Sequence, residues 1–139
     1  MDTVKRLALR LKIHRVSGTV VHHAAFLKKV LDRKGIRSEL VKGFCVVTET
    51  NEACAHYWVR TLDECLDLDI GFEVAKLKTP ELQALTPILL ESIPLGVTRS
   101  DETEHMIRAE NERLYELYQR DSIAFWRDSP KDLRALRLD

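Results

Sequence analysis

No apolar run in this 139-residue chain approaches the ~20 residues needed to cross a bilayer, so the sequence offers no membrane-spanning helix. Neither sign of charge dominates, since 22 Lys and Arg offset 22 Asp and Glu. Without a basic block there is no electrostatic case for nucleic acid or an anionic membrane surface. Cysteine is scarce and odd in number. Cys45, Cys54 and Cys65 lack zinc-finger spacing, so reduced thiols in a cytoplasmic or otherwise intracellular compartment are expected. Residues 1–14 carry charges throughout and do not read as a signal peptide. There is no glycine-rich phosphate loop, no serine nucleophile elbow, no internal repeat and no low-complexity tract. What is present, 45% hydrophobic and 32% charged residues, is the balance of a globular chain. Its length suits one domain over residues 1–139 with a core of useful size.

The order of apolar periodicities gives the fold class. Val4, Leu7, Leu9, Leu11 and Ile13 suggest a short first helix. Residues 20–34 carry Val20, Val21, Ala24, Ala25, Phe26, Leu27, Val30 and Leu31, the wide apolar face of a buried amphipathic helix. Ser17-Gly18-Thr19 precedes it as loop and N-cap, and Gly35 terminates it. Residues 38–47 read as a strand with Gly43 inside it, and residues 48–52 as a polar turn. A hairpin over roughly 53–70 follows, closed by Gly71. Thr79-Pro80-Glu81 opens a short helix. Pro87 and Pro94 mark a loop-rich stretch. Ser100-Asp101-Glu102 starts a long helix reaching about Gln119, and Ser129-Pro130 starts another. The expectation is an α+β domain: an N-terminal helix packed on a small antiparallel sheet of segments 38–47, 54–61 and 65–70, followed by C-terminal helices. Residues 72–139 form a mostly helical C-terminal extension.

The hairpin holds the chemistry. His56-Tyr57-Trp58-Val59-Arg60 alternates as a half-buried strand does, and Leu66-Asp67-Leu68-Asp69 follows across a turn at Asp63-Glu64. A two-residue loop there sets Arg60 opposite Asp67 and Trp58 opposite Asp69. His56, Trp58, Arg60, Asp67 and Asp69 then share one face, with His56 diagonal to Asp69. A carboxylate on an imidazole fixes its tautomer and stabilises its protonated form, which is what the base of a nucleophilic enzyme needs.

These residues, in this order, resemble the transglutaminase-like branch of the papain-like superfamily. The family pattern is a helix that begins with a nucleophilic Cys, with Ala four residues on, and ends in Gly-Ile. A Val-x-Gly-aromatic strand, a His-x-Trp-Val strand and a Leu-Asp strand follow. Here the matching pieces are Ala24, Gly35-Ile36, Val41-Lys42-Gly43-Phe44, His56-Tyr57-Trp58-Val59 and Leu68-Asp69. They span about half the chain, residues 18–71. Counting back from Ala24 and Gly35-Ile36 puts Val20 at the cysteine position. The resemblance therefore implies a catalytically inactive domain that works by binding, as a scaffold or assembly component with a protein partner. His56 and Asp69 would be a vestigial base and orienter, with Val20 and Trp58 lining the former pocket.

The alternative is a cysteine hydrolase or acyltransferase with a relocated thiol. Cys54 lies two residues before His56 on the same strand, roughly 6–7 Å along it. Cys45 lies on the strand expected to pair with it, while Cys65 sits at the turn. Free cysteines are most often small buried hydrophobes. No cofactor or metal is expected. His22 and His23 are adjacent, about 100° apart on a helix, and lack the i, i+4 spacing that would let two histidines chelate zinc together with His56 and Asp69. One is expected to be exposed and the other packed. Phe125-Trp126 would serve as a partner anchor if not consumed by the core, aromatic residues being concentrated at interface hot spots.

Overall fold

The computed structural model describes residues 2–47, 51–99 and 102–138. The chain is α+β, with helices at both ends of a small sheet. Helix α1 (Asp2–Ile13) packs on α3 (Ile70–Lys78), and both surround the buried helix α2 (Val20–Arg33). Nine of the fourteen α2 residues are buried, which makes it the central element. Its start and stop are fixed by local chemistry. Thr19 accepts hydrogen bonds from the Val21 and His22 amides, and the His22 ring accepts one back from the Thr19 amide at 3.0 Å. This is a capping box with histidine in the place usually held by Glu or Gln. At the other end Gly35 takes φ +76°. The Gly35 and Ile36 amides then reach back to Asp32 and Leu31, a Schellman closure that a left-handed residue permits.

The sheet runs β3 (Asp67–Leu68), β2 (Glu52–Thr61), β1 (Ser38–Val47), β4 (Ile88–Leu90), all antiparallel. A short β5 (Thr98–Arg99) adds to the start of β2 in parallel. Leu40, Tyr57 and Val59 project from one face into the core with Val21, Ala25 and Leu31. From the C-terminal half, α4 (Glu102–Arg120) and α5 (Ser122–Arg127) close over α2, and α6 (Lys131–Ala135) contributes the fully buried Leu133.

Two expectations need correction. The segment 65–70 contributes only two paired residues. Asp69 leaves the strand and caps α3, accepting the Phe72 amide at 3.1 Å, and Ile70 already belongs to the helix. The turn is longer than two residues. Thr61 pairs with Leu66, and Cys65 takes φ +54°, the left-handed residue with which longer hairpin loops rejoin the ladder. The register survives, because Arg60 still faces Asp67. The stretch read as loop-rich around Pro87 and Pro94 carries the short strands β4 and β5. Thr79-Pro80-Glu81 opens a short helix as expected, a single 3₁₀ turn over Pro80–Leu82. The expected turn over 48–52 and the Ser100-Asp101 helix start lie partly outside the described residues.

Candidate functional site

Gly71 is the point on which the site converges. A β-carbon built there would lie 2.7 Å from Val20 Cγ2, 3.1 Å from His56 Cε1 and 3.5 Å from Asp69 Oδ1. Only a glycine lets these three side chains approach one another here. The first residue of α2, a strand histidine and the cap of α3 thus meet at one spot.

His56 Nε2 and Asp69 Oδ1 are 2.7 Å apart, with both side chains about nine-tenths buried. The same Oδ1 accepts the Phe72 amide, so one oxygen caps a helix and holds an imidazole. Asp69 Oδ2 is buried without a hydrogen-bond partner among the described residues. Burial is the largest single influence on His56 and pulls its pKa down. The hydrogen bond and the charge of Asp69, with a smaller contribution from Cys54, outweigh it and set the imidazole above its ordinary value. With Nε2 committed to Asp69, Nδ1 is the nitrogen left for proton exchange. The His56 ring also stacks on Trp58 at 6.3 Å between centroids.

Trp58 is fully buried, and its indole N–H donates to Asp67 Oδ1 at 3.0 Å. Arg60 holds the same Asp67 oxygen at 2.9 Å and Glu91 at 2.5 Å. A β-carbon on Gly43 would meet Leu90 O at 2.4 Å and Trp58 Cη2 at 2.5 Å, so the glycine inside β1 makes room for the indole under β4. A glycine within a strand pattern signals such a close approach. Glu91 and the role of Gly71 have no comparable mark in the sequence.

Cys45 and Cys54 are direct cross-strand neighbours, and the Cys54 thiol approaches the Cys45 carbonyl at 3.8 Å. Cys45 is buried, Cys54 half-buried, and Cys65 exposed at the hairpin turn. His22 and His23 are both buried, against the expectation that one is exposed. The His22 ring caps α2, and His23 Nε2 lies 3.4 Å from the Ser17 carbonyl. Both have pKa values pulled down, chiefly by burial. Among the described residues no three His, Cys, Asp or Glu side chains converge to hold a metal ion. No helix among them is long and apolar enough to cross a membrane.

Chemically, the pair can hold and pass a proton, and it presents an imidazole of raised basicity. The side chain at the start of α2 offers only methyl groups. Comparison with known proteins matches no family model, no curated protein and no solved structure.

Proposed function

We propose that this chain is a catalytically inactive transglutaminase-like domain that acts by binding, as a scaffold or structural component of a protein assembly. One observation carries the reading. Val20 opens α2 against an imidazole already oriented by Asp69. A helix N-terminus facing a histidine is the environment that turns a thiol into a thiolate. Here that environment surrounds an aliphatic side chain, so the pair has nothing to activate and holds the β2 strand to the start of α3.

The test is Val20→Cys, followed by iodoacetamide labelling near pH 6. The introduced thiol should alkylate faster than Cys45, Cys54 and Cys65, because only it faces His56 from a helix N-terminus. Labelling no faster than that of the exposed Cys65 would defeat the reading. The second reading, a hydrolase or acyltransferase using Cys54 or Cys45, is favoured by the electrostatic influence of Cys54 on His56. Turnover of amide or ester substrates by the unaltered protein, lost on Cys54→Ala or Cys45→Ala, would establish it in place of the first.

A further inference from the structure

A recess of about 420 Å³ lies between α2 and the α5–α6 segment, on surface that the His56 pair does not use. Its floor is apolar, with the buried Leu133 and the half-buried Trp126. Four bases ring it: Lys29 and Arg33 from α2, Arg134 from α6, and Arg137 beyond it. No carboxylate lines it among the described residues. An adjoining recess of about 140 Å³ shares Leu138 and adds three more bases, Arg6, Arg10 and Lys34, again without an acid among the described residues. The Arg10 guanidinium donates to the Arg137 carbonyl and joins the two. In a chain whose charges cancel, this concentration of one sign is a local feature with its own field. The nearest acid on α2, Asp32, is held by Lys28 at 3.0 Å. Arg33, Arg134 and Arg137 make no ion pair among the described residues.

We infer that this recess is a docking site for an acidic peptide segment of a partner protein, one that seats an apolar side chain on the Trp126 floor and sets flanking carboxylates on Arg33, Arg134 and Arg137. Three observations select that occupant. Guanidinium groups match carboxylates in a two-pronged geometry, and clustered arginines are a recurrent means of reading acidic motifs. Trp and Arg around a concave apolar floor are the composition of interface hot spots. The remaining polyanions fit less well. Lys29 lies over the Trp126 ring at 4.6 Å and covers the face a flat nucleic-acid base would need, whereas an aliphatic or aromatic side chain also has Leu136 and Leu138 in the lining to pack against. A concave recess does not lie flat on a bilayer. The inference rests on the reading of this chain as a binding component, and supplies the chemistry of its partner.

The experiment uses the full chain and an array of short fluorescein-labelled peptides in which Phe or Leu is flanked by Asp and Glu. Matched peptides carry Asn and Gln instead, or Ala in place of the apolar residue. Binding is read by anisotropy and by the emission of Trp126, with Trp126→Phe assigning the signal against the buried Trp58. The acidic, apolar-anchored peptides should bind saturably and lose affinity with added salt. Arg33→Glu together with Arg134→Glu should weaken them about tenfold or more, whereas Arg127→Glu, outside the recess, should leave them unchanged. Circular dichroism of the charge-reversed protein confirms that it remains folded. The inference is overturned if no acidic peptide binds better than its neutral match, if charge reversal has no effect, or if only oligonucleotides or phosphatidylserine vesicles bind. Failure here is distinct from failure of the inactive-domain reading, which falls on thiol-dependent turnover instead.

Discussion

Replacing Asp69 with Ala removes two interactions made by one oxygen, and their sum can be estimated from the structure. Loss of the α3 cap on the Phe72 amide costs about 1 kcal/mol. Loss of the 2.7 Å contact with a buried imidazole costs about 1.5–3 kcal/mol when the ring is charged. Deleting the buried, unpartnered Oδ2 returns part of this, so a net loss of about 2 kcal/mol is expected in acid. Asp69→Asn separates the parts. Its amide oxygen still caps α3 and still accepts from a neutral His56, so it should lose only the charge-dependent share, roughly 1 kcal/mol.

The pH dependence follows from the sign of the His56 shift. Its pKa is raised in the folded protein, so the pair's stabilisation is fully present below the unfolded value near 6.5 and is lost as pH rises through the folded value. His22 and His23 are shifted the other way and should add stability as pH rises toward 6.5. Their effect cancels in a difference between wild type and variant, so the comparison must be made as a difference. Urea unfolding at pH 5.5 and pH 9 measures it. With a denaturant slope of about 1–3 kcal/mol per molar, the Asp69→Ala midpoint should fall by roughly 1 M in acid and by less in alkali. A gap between wild type and variant that widens with rising pH would refute the reasoning. So would equal losses for Ala and Asn in acid.

Gly43→Ala should lower the melting temperature more than any exposed glycine substitution, because its β-carbon would press on the Leu90 carbonyl and the Trp58 ring. Overpacking of that kind costs about 1–3 kcal/mol. Gly71→Ala should push His56 away from Asp69, visible as a fall in the His56 pKa by NMR titration. Adding Val20→Ala should recover part of it, since Val20 Cγ2 is the nearest obstacle. Burial, with a smaller effect from Asp32, pushes the Tyr118 phenol up to about 12. Ultraviolet titration should therefore show a tyrosine step near 12 that Tyr118→Phe removes.

Much of the fold was legible because its signals are local. The α2 helix declares itself by a wide apolar face between Thr19 and Gly35, and both boundaries hold to within a residue. The long β1 and β2 strands declare themselves by their β-favouring residues, although Tyr57, Trp58 and Val59 are buried in succession rather than alternately, and the pairing of Arg60 with Asp67 followed from counting through the turn. The short elements were hidden for a physical reason. A two-residue strand such as β5 has no periodicity to read, and β4 pairs only because Phe44, Cys45 and Val46 offer it an edge distant in sequence. The C-terminal aromatics divide similarly. Phe125 is consumed by the core, while Trp126 stays half-buried beside Lys29, and nothing in the dipeptide distinguishes the two.

The candidate site was legible in its residues but not in its construction. The spacing of His56 and Asp69 predicts a contact between strands, and the contact exists. It is made by a helix cap, however, because Asp69 serves the Phe72 amide and the imidazole with the same oxygen. Local preference for an acidic N-cap and long-range pairing with His56 thus place the same residue in the same position. Removing Asp69 would therefore unmake the start of α3 as well as free the histidine.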